Sequence, residues 1–480
     1  MMNRIQSMLA AADRLTTRYR VVLGALLSVL LAALLALYNV SSGPLRNLND
    51  IGGWSNRALF IAMAAAVHAL MLLGCTLLHR RSFARLALRE IILTAGFYIL
   101  LLGINHKAYI YLNVMQPVIR AMDAGGLAAG IAMEHNMSAP MLTLVYLITR
   151  GPVYDMYLLK LFATACYMLL SLLLVRAADR RGFGIRAEVL LTLCMILPQG
   201  FMNAAFSAIP EIAAVTLLAV SLSLLDGEKP YTLAACLCFG AASALSGAAL
   251  YALPLYAYMV CRGRMKKEYL LAAFGVMLAF CVPAVLGGMG IGAAVGSLGN
   301  AVFGLPQYAS GAPGLMNLVP FARMEQMPQY APVLRHFEAL DAVTHAQPYY
   351  TQAHFEYMAS GMLLAGFAVY MGVCALGLRA KDKTPLHRAM IFVLGALIAC
   401  PNISSAAWLA MDLLCLYALL CAPRLRLPAI LVLFATMTSS VYPMTEEVLL
   451  PMVYAFVLCM AALCMLLDVI PMGKGDGINE

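Results

Sequence analysis

The chain has 480 residues, is 63% hydrophobic and 11% charged, and carries a formal charge of +9. A mean hydropathy of +0.84 is that of a polytopic membrane protein and excludes a soluble domain built round one large core. The positive charge does not indicate nucleic acid, because Lys and Arg gather on the cytoplasmic loops of membrane proteins and no basic patch interleaved with aromatic residues is present.

Hydropathy predicts an all-α, polytopic integral membrane protein of about 14 transmembrane helices. The predicted spans are 21–40, 58–78, 88–104, 156–177, 188–201, 205–225, 231–245, 247–261, 268–287, 361–380, 388–401, 404–422, 428–442 and 446–468. The first run is long enough to stay as an anchor. This divides the chain into N-terminal spans over 1–104, an extracytoplasmic loop with interfacial helices over 105–155, and a central bundle over 156–287. A second long outer loop covers 288–360, a C-terminal bundle 361–470 and a polar tail 471–480. Most of the 13 cysteines lie in apolar runs and read as small apolar residues. Cys236 and Cys238 would point about 200° apart on a helix, a poor metal site.

Charge orients the spans. With both termini in the cytoplasm, the inner loops hold Arg80, Arg81, Arg85 and Arg89, then Arg176 to Arg186, Arg262 to Lys267, Arg379 to Arg388, and Arg424 with Arg426. The outer segments hold only Arg46, Arg57, Lys107, Arg120, Arg150, Arg323 and Arg335. This asymmetry requires Met141–Ile148, which is apolar but too short to span, to lie at the surface rather than cross.

The stretch from Asn105 to Lys160 is therefore the organising one. Charge is costly in hydrocarbon, so its His106, Lys107, Arg120, Asp123, Glu134, His135, Arg150 and Asp155 place it at a membrane surface. Apolar residues at Ile110, Val114, Val118 and Met122 give Tyr109–Met122 one helical face. The Gly125-Gly126 pair ends that helix and separates it from the next segment.

Several residues are candidates for chemistry. Glu211 stands after Pro210 at the start of a span, where a carboxylate also suits the helix dipole. Asp123 and Glu134 flank the glycine pair and could serve as general base or hold a divalent ion; a solvated loop is the plainer reading, and nothing in the spacing calls for a metal or other cofactor. His106, Lys107, Arg150 and Lys160 are cations near an outer surface, suited to a lipid phosphate or to snorkelling. Asp412, inside WLAMDLLCLYALL, is an intramembrane carboxylate and by that fact a functional candidate.

From Asn105 to Leu420 the order and spacing of short motifs resemble the bacterial membrane proteins related to the GPI-anchor mannosyltransferases, in the GT-C superfamily of glycosyltransferases. KAYIYL, GGLAAG, SAPMLTLVYL and LLKLFA stand where the family has Asp-Tyr-x-x-Tyr-Leu, Gly-Gly, a Pro-Pro-Leu helix and Ile-Lys-Leu. Ser207-Ala208-Ile209-Pro210-Glu211 stands on the family's Trp-Gly-Gln-x-Asp, after a matching Asn203. Phe239-Gly240 and Pro254 keep the frame of a later motif, and Asp412 matches downstream of Ser404-Ser405-Ala406-Ala407, where the family has His-Glu-Arg-Tyr.

The resemblance implies a GT-C-like fold and a mannosyltransferase-like enzyme of a bacterial plasma membrane, taking a sugar from a polyprenyl-phosphate donor at the outer face. The family's loop aspartate falls on Lys107, and lysine cannot be the same general base near neutral pH. The fold is then kept and the mechanism eroded, with Glu211 as the surviving acid and Asp123 or Glu134 replacing the lost one. Two alternatives stay open: a non-catalytic lipid-binding or accessory subunit of envelope glycan assembly, and a transporter, for which only the span count and Asp412 speak. The sequence names no protein partner.

Overall fold

The computed structural model describes residues 53–78, 83–102, 111–133, 137–151, 153–225, 231–303, 368–375, 385–399, 405–441 and 449–467, with the single residues 7, 8, 11, 22, 26 and 30. Among them all regular structure is helical. Most of the predicted span 21–40, most of the loop 288–360, and the candidates His106, Lys107 and Glu134 lie outside the described residues.

Three described helices are long and apolar enough to cross a membrane, or four if one bent pair counts as a single span. They are Ala58–Cys75, Asp155–Arg180 and Lys267–Leu286, and the pair is Arg186–Met195 with Pro198–Ala205, bent by 48°. The window in Asp155–Arg180 is 67% buried and that in Lys267–Leu286 only 17%; the first is mostly covered by protein and the second leaves most of its apolar surface uncovered. Leu271, Leu286, Leu70, Ile91 and Leu147 are all exposed, an apolar exterior suited to lipid rather than water.

The chain forms two compact units. The first comprises Met1–His135, Pro140–Pro230 and Pro283–Met289. Its helices are α1 (Gly53–Leu78), α2 (Phe83–Leu102), α3 (Gln116–Ile131, after a π-helical turn Tyr111–Met115), α4 (Ala139–Thr149), α5 (Asp155–Arg180), α6 (Ile185–Met195) and α7 (Ile212–Leu225). At 11 residues, α4 is too short to cross a bilayer. By contrast α5, with 26 residues, spans about 39 Å.

Specific contacts fix how the first unit packs. Thr216 Oγ1 of α7 donates to the Cys166 carbonyl of α5 (3.1 Å), and Arg180 Nη1 donates to the Ser223 carbonyl (3.1 Å). Both bonds advance in the same direction, so α5 and α7 run parallel. At one end of the unit Arg89 of α2 meets Asp179 of α5 and Glu188 of α6. At the other end of α5, Asp155 meets Tyr111. Gly287, far along the chain, sits against Leu127 of α3, where an added Cβ would lie 2.6 Å from Leu127 Cδ1.

The second unit comprises Asn136–Ala139, Tyr231–Val282 and Gly290–Glu480. It holds α8 (Thr232–Leu245), α9 (Leu253–Cys261, after a 3-10 turn Gly247–Ala252), α10 (Lys267–Ala279), α11 (Ile291–Phe303), α12 (Pro385–Ala399), α13 (Ser405–Cys421), α14 (Arg426–Val441) and α15 (Leu449–Leu467). Phe239 of α8 stacks on Tyr256 of α9 at 4.2 Å. Arg388, at the start of α12, donates from Nη1 to the Tyr258 hydroxyl (2.6 Å) and lies over its ring. Helices α8 and α10 touch through Gly240, whose absent side chain lets the Ala273 backbone approach. Close approach at a small residue is a usual basis of helix pairing in lipid.

Candidate functional site

The site is built at the end of the first unit where α5 begins. The turn Tyr111–Met115 and α3 bury Tyr111, Met115, Val118, Ile119 and Met122, a spacing of one helical face. The opposite face is polar and carries the exposed Arg120 and Asp123. Gly126, at φ 74° and ψ −173°, breaks the helix; glycine adopts this conformation without a Cβ clash.

Tyr111 is fully buried, and its hydroxyl donates to Asp155 Oδ1 at 2.8 Å. The same oxygen accepts the Met156 backbone N–H at 2.8 Å, holding the carboxylate at the first turn of α5. Burial first, and then the bonds to Tyr154 and Asp155, push the Tyr111 phenol far above its ordinary range, so it remains a proton donor. Tyr111, Tyr154, Tyr157 and Phe60 form an aromatic run with centroid separations of 6.4, 5.6 and 5.3 Å. Such edge and tilted contacts add cohesion beyond the area they bury.

Lys160 lies about one and a half turns into α5 and is fully buried, so it does not snorkel. Asp155, about one and a half turns earlier, is bonded to Tyr111. Glu211 opens α7 and is half-buried, with its carboxylate turned to its own backbone N–H. Since Thr216 lies opposite Cys166, the residues five earlier, Glu211 and Leu161, stand at one level, beside Lys160. The described structure thus brings Glu211, Lys160 and the Tyr111–Asp155 pair to the same end of the first unit.

Asp123 and Arg150 also meet, with Nη2 to Oδ1 at 3.3 Å and side chains 57% and 50% exposed. The same Arg150 nitrogen donates to the Tyr146 hydroxyl at 2.8 Å, and the guanidinium lies over that ring. An exposed pair of this kind contributes roughly 0–1 kcal/mol. Asp123 therefore faces a cation, and Arg150 would have to exchange partners to reach a lipid phosphate. Among the described residues no group of three or more metal-ligating side chains converges.

The loop that leads into Glu211 is strained. Ala208, fully buried, adopts φ 55°, a left-handed conformation that costs an L-residue roughly 1–2 kcal/mol. It is held by Ser207 N–H to the Met202 carbonyl (2.8 Å) and Ile209 N–H to the Asn203 carbonyl (3.0 Å). The Asn203 side-chain amide in turn donates to the Gln199 carbonyl at 2.7 Å. Ala208→Gly is expected to keep stability within about 1 kcal/mol of the parent, since relief of strain offsets glycine's entropy. Ala208→Val, β-branched at positive φ, should lose far more. Thermal unfolding of the two detergent-solubilised variants checks this; equal tolerance of Val would show that the turn is not constrained.

Asp412 belongs to the second unit. It is fully buried and accepts the Thr436 hydroxyl at 2.5 Å between α13 and α14. It is thus an interior polar contact of that unit.

Four residues were missed by the sequence reading. Arg89, counted with the cytoplasmic loops, is buried inside the helical body, bound to Glu188 and Asp179. Glu188, Glu90 and His68 are buried too. The signal was present: each is an ionisable residue in or bordering a predicted span. No family model matches this chain, and neither a curated protein nor a solved structure does.

Proposed function

We propose that the chain is a polytopic protein of about fourteen spans, with both termini cytoplasmic, that binds a polyprenyl-phosphate-linked sugar at the outer face in the manner of a GT-C glycosyltransferase. The observation that carries this reading is the backbone at Ala208. It holds a glycine-favouring φ of 55° at the position that corresponds, in the resemblance, to the glycine of Trp-Gly-Gln-x-Asp. In this reading the family's turn is kept where the side chains have changed, and it delivers Glu211 to the start of α7. In this reading Glu211 is the acid that contacts the acceptor, the Tyr111–Asp155 pair replaces the lost loop carboxylate more readily than the exposed Asp123, and Lys160 supplies positive charge beside the lipid phosphate.

The test is transfer from labelled polyprenyl-phosphate sugars by purified protein in lipid. Glu211→Gln is expected to lower transfer at least about a hundredfold, as loss of a general acid or base does, while leaving lipid binding intact. Transfer at the parent rate in Glu211→Gln removes the residue from the mechanism.

A second reading, a non-catalytic lipid-binding or accessory subunit, is favoured by one observation. Arg150 is already engaged by Asp123 and Tyr146 and Lys160 is buried, an arrangement that suits a structural end to the unit. Retention of the lipid without turnover in the same assay selects this reading.

A further inference from the structure

A different part of the first unit carries a site that sugar transfer does not use. At the end opposite Tyr111, Arg89 donates from Nη2 to Glu188 Oε1 at 2.6 Å and from Nε to Oε2 at 3.3 Å, and Nη2 also meets Asp179 Oδ2 at 2.8 Å. Two carboxylates therefore already share one guanidinium. The next residue, Glu90, is a third acid. It is 1% exposed, and both of its carboxyl oxygens lack a hydrogen-bond partner among the described residues. An ionised carboxylate so placed would be an uncompensated buried charge, which is prohibitively costly.

A second buried ionisable group contacts α2 one turn further on, at Thr94. His68 of α1 is fully buried and stacked on Phe97 of α2 at 4.8 Å. Its Nε2 lies 3.4 Å from Thr94 Oγ1, whose hydroxyl donates to the Glu90 carbonyl at 2.8 Å. Because the threonine proton is committed to that carbonyl, its oxygen is left to accept, and the imidazole proton belongs on Nε2. His68 Nδ1, which has no partner among the described residues, then carries a bare lone pair. Glu90 and Thr94 are four residues apart on one face of α2, about one helical turn or 5–6 Å along the axis. Cys75 on α1 lies near Glu90, and Asp179 on α5 and Glu188 on α6 lie against the neighbouring Arg89.

We propose that Glu90 is a proton-binding site inside the membrane, protonated at neutral pH; a buried ionisable residue in a bilayer is by that fact a functional candidate.

The measurement is infrared spectroscopy of the purified full-length protein in lipid nanodiscs over a pH series. The expected result is a protonated-carboxyl carbonyl band at neutral pH that fades as pH rises, is lost in Glu90→Gln and persists in Asp412→Asn. Identical neutral-pH spectra for the parent and Glu90→Gln would overturn the proposal. If Glu90→Gln does not fold, the parent chain labelled with carboxyl-13C glutamate decides alone. A label-shifted acid band that survives Glu211→Gln supports a buried protonated glutamate, and no label-sensitive acid band at neutral pH refutes it.

Discussion

Gly240→Ala is expected to destabilise the second unit by about 3 kcal/mol or more, the upper end of the usual cost of overpacking. The added Cβ would lie 2.2 Å from the Ala273 carbonyl oxygen and 2.9 Å from its carbon and Cα. All three are backbone atoms, so no rotamer change relieves the clash; α8 and α10 must separate and give up the contacts made along their length. The control is on α10 itself. Gly275 has nothing within 4 Å of its would-be Cβ, so Gly275→Ala should be neutral or gain up to about 1 kcal/mol from helix propensity. Thermal unfolding midpoints of the two variants in one detergent should fall on opposite sides of the parent. Equal midpoints would mean that Gly240 does not set the spacing of the two helices.

Arg89→Met is expected to cost roughly 3–5 kcal/mol, the penalty for removing one partner of a buried ion pair. Most of the loss should come from Glu188, whose side chain is 5% exposed; Asp179, at 31%, can turn toward solvent. Arg89→Met combined with Glu188→Leu should therefore recover most of the stability, because two apolar groups replace a pair rather than orphan a charge. Added salt should change little, since a buried pair is weakly screened. The unfolding midpoints of parent, single and double variants decide the matter. A double variant no more stable than Arg89→Met would show that the arginine acts through packing alone.

The sequence carried the helical class and the shortness of α4, an eleven-residue apolar helix with no length to cross. It also carried the break at the glycine pair and the burial of Asp412. Residues at the Arg89 end escaped it for a definable reason. A hydropathy window averages over a turn or more, so a single His68 within an apolar run hardly lowers the mean. The predicted start of the third span at 88 left Arg89 at its edge, whereas α2 begins at Phe83, and that boundary shift of more than a turn puts Arg89 inside. The bend between α6 and the short helix after it comes from Pro198, which cannot donate a backbone hydrogen bond. The Tyr111–Asp155 bond joins residues 44 apart, a distance over which no periodicity reports. Glu211 was legible as a helix-start carboxylate, but its level beside Lys160 appears only once α5 and α7 are seen to run in parallel.

The threading of the two units also constrains biosynthesis. The first unit needs Pro283–Met289, and Gly287 closes against Leu127. The ribosome must therefore release well over half the polypeptide before that unit can be finished. By then Tyr231–Val282, which belongs to the second unit, has already been handed to the insertion machinery. Maturation of the two halves cannot be strictly sequential, and nascent chains halted near residue 230 should remain protease-sensitive in α3, while chains extended past residue 289 should become protected together.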